Sequence, residues 1–171
     1  MDLNSIMKLM TSSDALGQVS SLTGVSEKEA GSALEEIVPM LLKGIQEQAN
    51  DKSTADSFLS ALSAHGQNDT SDIASFLGNV DIEDGSKIVG HLLGDKKEAK
   101  AEEVRGNLGL DTKTIMKIMA IAAPLLMSQM SKKAKDDAKP SDSGIAGIVG
   151  GLLDGVDAND VLNIMGTLFK K

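Results

Sequence analysis

Apolar residues recur every three to four positions along this chain, in blocks separated by glycine, serine and acidic residues. That is the periodicity of amphipathic helices. Ile6, Met7 and Met10 predict a short helix over Leu3 to Met10. Ser12-Ser13-Asp14 offers N-caps for a second helix ending near Gly24. Ser26-Glu-Lys-Glu29 has the S-x-x-E form of a capping box and opens a long helix to about Ala49. Shorter helices follow over Asp56 to Ala64, ended by His65-Gly66, and over Ser71 to Gly78. Asp81-Ile-Glu-Asp-Gly85 reads as an acidic turn, Ser86 to Gly94 as an apolar helix capped by Ser86, and Asp95 to Lys100 as a charged connector. Glu102 to Leu108 then forms a helix, and Asp111 caps a second long one that runs to about Lys135.

Within this pattern a 28-residue stretch occurs twice, Val19 to Gln46 and Val104 to Ser131. At an offset of 85, Gly24 falls on Gly109, Lys28 on Lys113 and Pro39 on Pro124, and Met40-Leu41-Leu42 falls on Leu125-Leu126-Met127. A proline inside an apolar helix must bend it or interrupt its hydrogen bonds, because it lacks an N–H and crowds the preceding turn. The expectation is an all-α, multi-helix bundle built from two related halves, with Gly24, Pro39, Gly109 and Pro124 as its structural markers.

Composition narrows the core and the chemistry. Aromatics are 2 % (Phe58, Phe76 and Phe169), so the core is aliphatic and base-stacking platforms for single-stranded nucleic acid are missing. There is no cysteine, which removes disulfides, thiolate metal sites and a cysteine nucleophile, and fits a cytoplasmic location. No secretory signal is visible in MDLNSIMKLM. The net charge of −8 is uneven: residues 1–85 carry −10 and residues 86–171 carry +2. The acidic half is either a solvated face or a surface that meets a basic one, such as the other half of a neighbouring copy.

Each repeat has the outline of a helix-turn-helix, but the second helix of the first copy presents Glu27, Glu29, Glu35 and Glu36, which repel phosphate. In the second copy that helix is apolar on nearly all sides and reads as buried. No nucleic-acid partner is expected. His65 and His91 each have an aspartate at i+4, Asp69 and Asp95, but a glycine between them ends the helix before the pair can share a face. His65 suits a helix C-terminus, and His91 sits between apolar residues and reads as partly buried. The acidic turns at 81–85 and 154–160 lack calcium-loop spacing and read as helix-capping turns. Adjacent pairs such as Glu35-Glu36 and Glu102-Glu103 diverge on a helix, and no serine sits in a nucleophile elbow. The chain reads as a non-enzyme with no metal, no cofactor and no small-molecule substrate.

Residues 134–143 read as a charged linker punctuated by Pro140, and residues 144–171 as a Gly-rich helical hairpin. Gly144, Gly147, Gly150 and Gly151 permit close helix approach and are the candidate interaction residues. The apolar run there is too short to span a bilayer. The duplicated domain occupies residues 1–133, with repeats at about 14–49 and 99–135.

The residues Val104, Leu108-Gly-Leu-Asp111, Thr114 and Pro124-Leu-Leu126, with Val19, Gly24-Val-Ser26 and Pro39-Met-Leu-Leu42, make the chain resemble the YidB-like family of bacterial proteins of unknown function. The C-terminal Gly- and Leu-rich segment is similar as well. The resemblance implies an all-helical fold and brings no catalytic residues. The functional expectation is a self-associating structural or protein-interaction module, a homo-oligomer through its own surfaces. A peripheral membrane or envelope-associated factor, using the tail at a membrane surface, is the second reading, and a helix-turn-helix-like regulator the third.

Overall fold

The computed structural model describes residues 3–136 except residue 52. The expected Gly-rich hairpin with Gly144, Gly147, Gly150 and Gly151 lies outside the described residues; of the linker expected over 134–143, residues 134–136 are the end of a helix and the rest lies outside the described residues. The chain folds as α1 (Leu3–Met10), α2 (Ser13–Thr23), α3 (Glu27–Asn50), α4 (Ala55–His65), α5 (Ile73–Gly78), α6 (Ile82–Leu93), α7 (Lys97–Leu108) and α8 (Thr112–Asp136). Among the described residues there is no strand.

Capping chemistry sets most of these boundaries. The Ser12 hydroxyl accepts from the Ala15 N–H at the start of α2. Ser26 and Glu29 form a reciprocal capping box on α3: the Glu29 N–H donates to Ser26 Oγ at 3.2 Å, and the Ser26 N–H donates to Glu29 Oε2 at 2.8 Å. Asp111 opens α8 by accepting the Thr114 N–H at 2.9 Å. Gly24 and Gly109 follow α2 and α7 with φ of 80° and 71°, the left-handed conformation that closes a helix and favours glycine.

Two expected boundaries shift. Asp81-Ile-Glu-Asp-Gly85 is the cap and first turn of α6 rather than a free turn. Asp81, not Ser86, caps it by accepting the Glu83 and Asp84 N–H groups. Glu83 and Asp84 then stand at the positive end of the helix dipole, which favours helix there. The charged stretch 95–100 is helical too: a 3-10 turn at Gly94–Lys96 runs straight into α7. His91, expected to be partly buried, is exposed. It lies on the solvent side of α6, while Ile88, Val89 and Leu92 face the core.

α8 is the axis of the bundle. Every residue from Ile118 to Ser131 is buried. α6 packs on it most extensively, and α3, α4 and α7 cover it as well. The other half of the core comes from one face of α3, with Leu34, Ile37, Val38, Leu41 and Ile45 all at or near zero exposure. By length and composition, Thr112–Lys132 could cross a membrane, but 83 % of that window is buried inside the protein.

Two glycines let α6 lie against its neighbours. A Cβ on Gly85 would stand 1.9 Å from the Ala120 carbonyl oxygen of α8, and one on Gly44 of α3 would stand 2.8 Å from the Leu92 carbonyl oxygen of α6. Two polar contacts join the helix pairs: Lys117 of α8 donates to the Leu22 carbonyl at the end of α2, and Asn107 of α7 donates to Glu36 of α3 at 3.0 Å.

Candidate functional site

The segment from the end of α4 to the first turn of α6 forms a cleft of about 620 Å³ that is backed by α8. Each wall follows from a capping or turn requirement. Ala64 and His65 come from the last turn of α4. Asp69 closes a turn by accepting the Ser71 N–H at 2.9 Å. Asp72 caps α5 through the Ser75 N–H, and Asp81 caps α6. Phe76 and Val80 follow on and after α5, Asp84 sits in the first turn of α6, and Pro124 comes from α8.

The result is an apolar lining of Ala64, Phe76, Val80 and Pro124, with four aspartates and one histidine around it. Hydrogen bonds from the Ser71 hydroxyl and N–H hold the Asp69 carboxyl below its usual range, keeping it ionised. His65 Nε2 lies 3.6 Å from Asp84 Oδ2. Its other ring nitrogen lies 3.3 Å from the Asn68 amide nitrogen.

A polar seam behind the cleft ties the 66–72 loop to α8. Asn68 Nδ2 donates to Ser128 Oγ at 3.4 Å, and Ser128 Oγ donates to the Pro124 carbonyl at 2.9 Å. Thr70 Oγ1 receives both the Gln129 amide at 2.9 Å and the Lys132 ammonium. Ser128, Gln129 and Thr70 are all buried, so these bonds satisfy groups that would otherwise be costly inside an apolar bundle.

Of the residues singled out by the repeat, only Pro124 lines this cleft. Gly24 and Gly109 lie at exposed turns, and Pro39 is half-buried in the middle of α3. The aspartates were visible as spaced acids at 69, 72, 81 and 84. Their convergence was not, because it depends on α4 and α6 being brought together on α8. No group of three or more His, Cys, Asp or Glu able to hold a metal occurs among the described residues. Glu36 lies apart, between α3 and α7. Burial raises its carboxyl above the usual range, the Asn107 hydrogen bond opposes that, and nearby Glu103 adds to it.

The described residues thus form an all-helical bundle wound around one buried apolar helix, with an acidic cleft on one side. The chain belongs to the DUF937 family, bacterial proteins of unknown function, whose model matches residues 5–133 and which takes in the YidB-like family. No curated protein and no solved structure matches it.

Proposed function

We propose that this protein is a non-enzymatic interaction module of the bacterial cytoplasm, that its binding surface is the acidic cleft between α4, α5 and α6, and that a second copy of the chain is its first partner. The observation that carries the reading is the cleft itself, an apolar lining under a rim of four aspartates with a single histidine. Such a surface selects a segment that offers an apolar side chain beside basic ones. The aspartates are suited to recognition because helix and turn capping already fix three of them in place. Light scattering of the full chain over a range of concentrations tests it. The expected result is a mass that rises with concentration, less so in high salt or in D72N/D81N/D84N, where asparagine keeps the caps and removes the charge. A protein that stays strictly monomeric sinks the self-association.

We also infer that the bundle derives from two related helix pairs, α2–α3 and α7–α8. In support, Gly24 and Gly109 adopt nearly the same left-handed geometry, and each of the two long helices carries its proline twelve residues past its first residue. The pairs differ in placement: α8 is the buried axis, whereas α3 keeps Glu35 exposed and Pro39 half-buried.

A further inference from the structure

We propose that the occupant of the acidic cleft is a segment of this chain itself, Leu168-Phe169-Lys170-Lys171. It would close the cleft of its own chain when dilute and that of a neighbour when concentrated. The proposal rests on the reading of the cleft as a protein-binding surface. Three observations lead to it.

The first is complementarity of charge and shape. Asp69, Asp72, Asp81 and Asp84 surround Phe76 and Val80, and the segment places two lysines directly after an apolar pair. An aromatic ring set against Phe76, with ammonium groups at the rim, satisfies both parts of the cleft. Phe169 is the one phenylalanine of the sequence that lies beyond the described core, since Phe58 is in the core and Phe76 packs against it.

The second is the position of the exit. Lys132, in the last turns of α8, is tied to Thr70, next to Asp69 on the cleft rim. Lys132 also lies near enough to Asp69 to act on its charge, so the described end of α8, one turn further on at Asp136, follows directly on a residue anchored at the loop that walls the cleft. The stretch from Asp136 to Leu168 can extend about 3.3 Å per residue, so it is long enough to return. Tethering supplies an effective concentration on the order of millimolar, which favours contact within one chain until copies are crowded enough to exchange segments.

The third is the balance of charge. The first 85 residues carry −10 and include all four cleft aspartates, whereas the remainder carries +2. Salt then weakens the contact.

Zero-length coupling of lysine amines to carboxylates in the full chain, applied to an equal mixture of ordinary and heavy-isotope protein and read by mass spectrometry, tests this directly. Lys170 and Lys171 are expected to couple to the four cleft aspartates, in single-isotope pairs when dilute and increasingly in mixed pairs as concentration rises. Yield should fall about tenfold in F169A. D84K should lose the link to position 84, and adding K170D and K171D should restore it with its ends exchanged. Helix content by circular dichroism controls for folding.

No coupling to any of the four aspartates, at either concentration and while other surface carboxylates react, overturns the proposal. If mass still rises with concentration in that case, self-association stands and this occupant falls. If coupling stays within single chains and the mass stays monomeric, this occupant stands and self-association falls.

Discussion

Gly85 and Ala120 meet where α6 crosses α8: the carbonyl oxygen of Ala120 lies 1.9 Å from the place where a β-carbon on residue 85 would stand. Ala120 is also the residue four before Pro124, which has no N–H to offer that carbonyl. The proline and the glycine therefore act on the same group. Pro124 withdraws the helical donor, and Gly85 leaves the room in which α6 lies close against the backbone at Ala120. This places the first turn of α6, with Asp84, at the cleft beside Pro124.

Gly85→Ala is expected to destabilise the protein by about 3 kcal/mol or more, because the obstacle is backbone and one helix must shift to relieve it. Gly90, on the same helix with nothing within 4 Å of its absent β-carbon, gives the opposite sign. Gly90→Ala is expected to stabilise by about 0.5–1 kcal/mol through helix propensity. Urea unfolding of both variants checks this, and equal effects would remove the close-approach argument.

Much of the local structure could be read from short-range chemistry. Ser12, Ser26, Asp111, Gly24 and Gly109 each act through neighbours within five residues, so their roles were visible in sequence. The apolarity of α8 likewise announced a buried helix. Asp81 and Gly85 misled because each has a common local meaning, turn acid and helix breaker, and tertiary packing overrode the second. Residue 85 is a glycine because the Ala120 carbonyl needs the space, and not because the chain turns there. The cleft was illegible for a related reason. Its residues span 64 to 84 with Pro124 added, and only the docking of α4 and α6 on α8 brings them together.

Gly24 and Gly109 give a test of the proposed kinship between the two helix pairs. Both sit at positive φ with open space around them, so a side chain meets conformational strain and no clash. Gly24→Ala and Gly109→Ala are each expected to cost about 1–2 kcal/mol. Asparagine at either position should cost less. Thermal unfolding of the four variants checks it, and an alanine effect near zero at one position alone would separate the two turns.

Thr70 is the single acceptor that both Gln129 and Lys132 of α8 reach. Thr70→Val keeps the shape and removes the oxygen, leaving a buried amide unpaired, and is expected to cost about 1–3 kcal/mol. Thr70→Ser retains the oxygen and should cost much less. In T70V/Q129L the unpaired amide is gone, so the double variant should recover at least about 0.5 kcal/mol relative to the sum of the single changes. If serine proves as damaging as valine, the methyl contact matters as much as the hydrogen bonds, and a valine variant as stable as the parent would mean that the hydrogen bonds contribute nothing.

Acid should act on this protein in two opposed ways. The Thr114 hydroxyl and N–H hold Asp111 below its usual range, the Ser71 hydroxyl does the same for Asp69, the Ser26 N–H for Glu29 and the Thr112 hydroxyl for Glu102. A carboxyl whose folded value is depressed contributes stability above its unfolded value of about 4 and loses it as pH falls through the folded value. Stability should therefore decline below about pH 4, and Asp111→Asn should flatten that decline. Glu36 runs the other way. Burial raises its carboxyl, so its ionised form weakens the folded state once pH exceeds the unfolded value. Glu36→Gln keeps an oxygen for the Asn107 amide and removes the charge beside Glu103. Its melting temperature is expected to exceed that of the parent at pH 7 and to match it near pH 4. A lower melting temperature at pH 7 would mean that the charged bond to Asn107 outweighs the burial of Glu36.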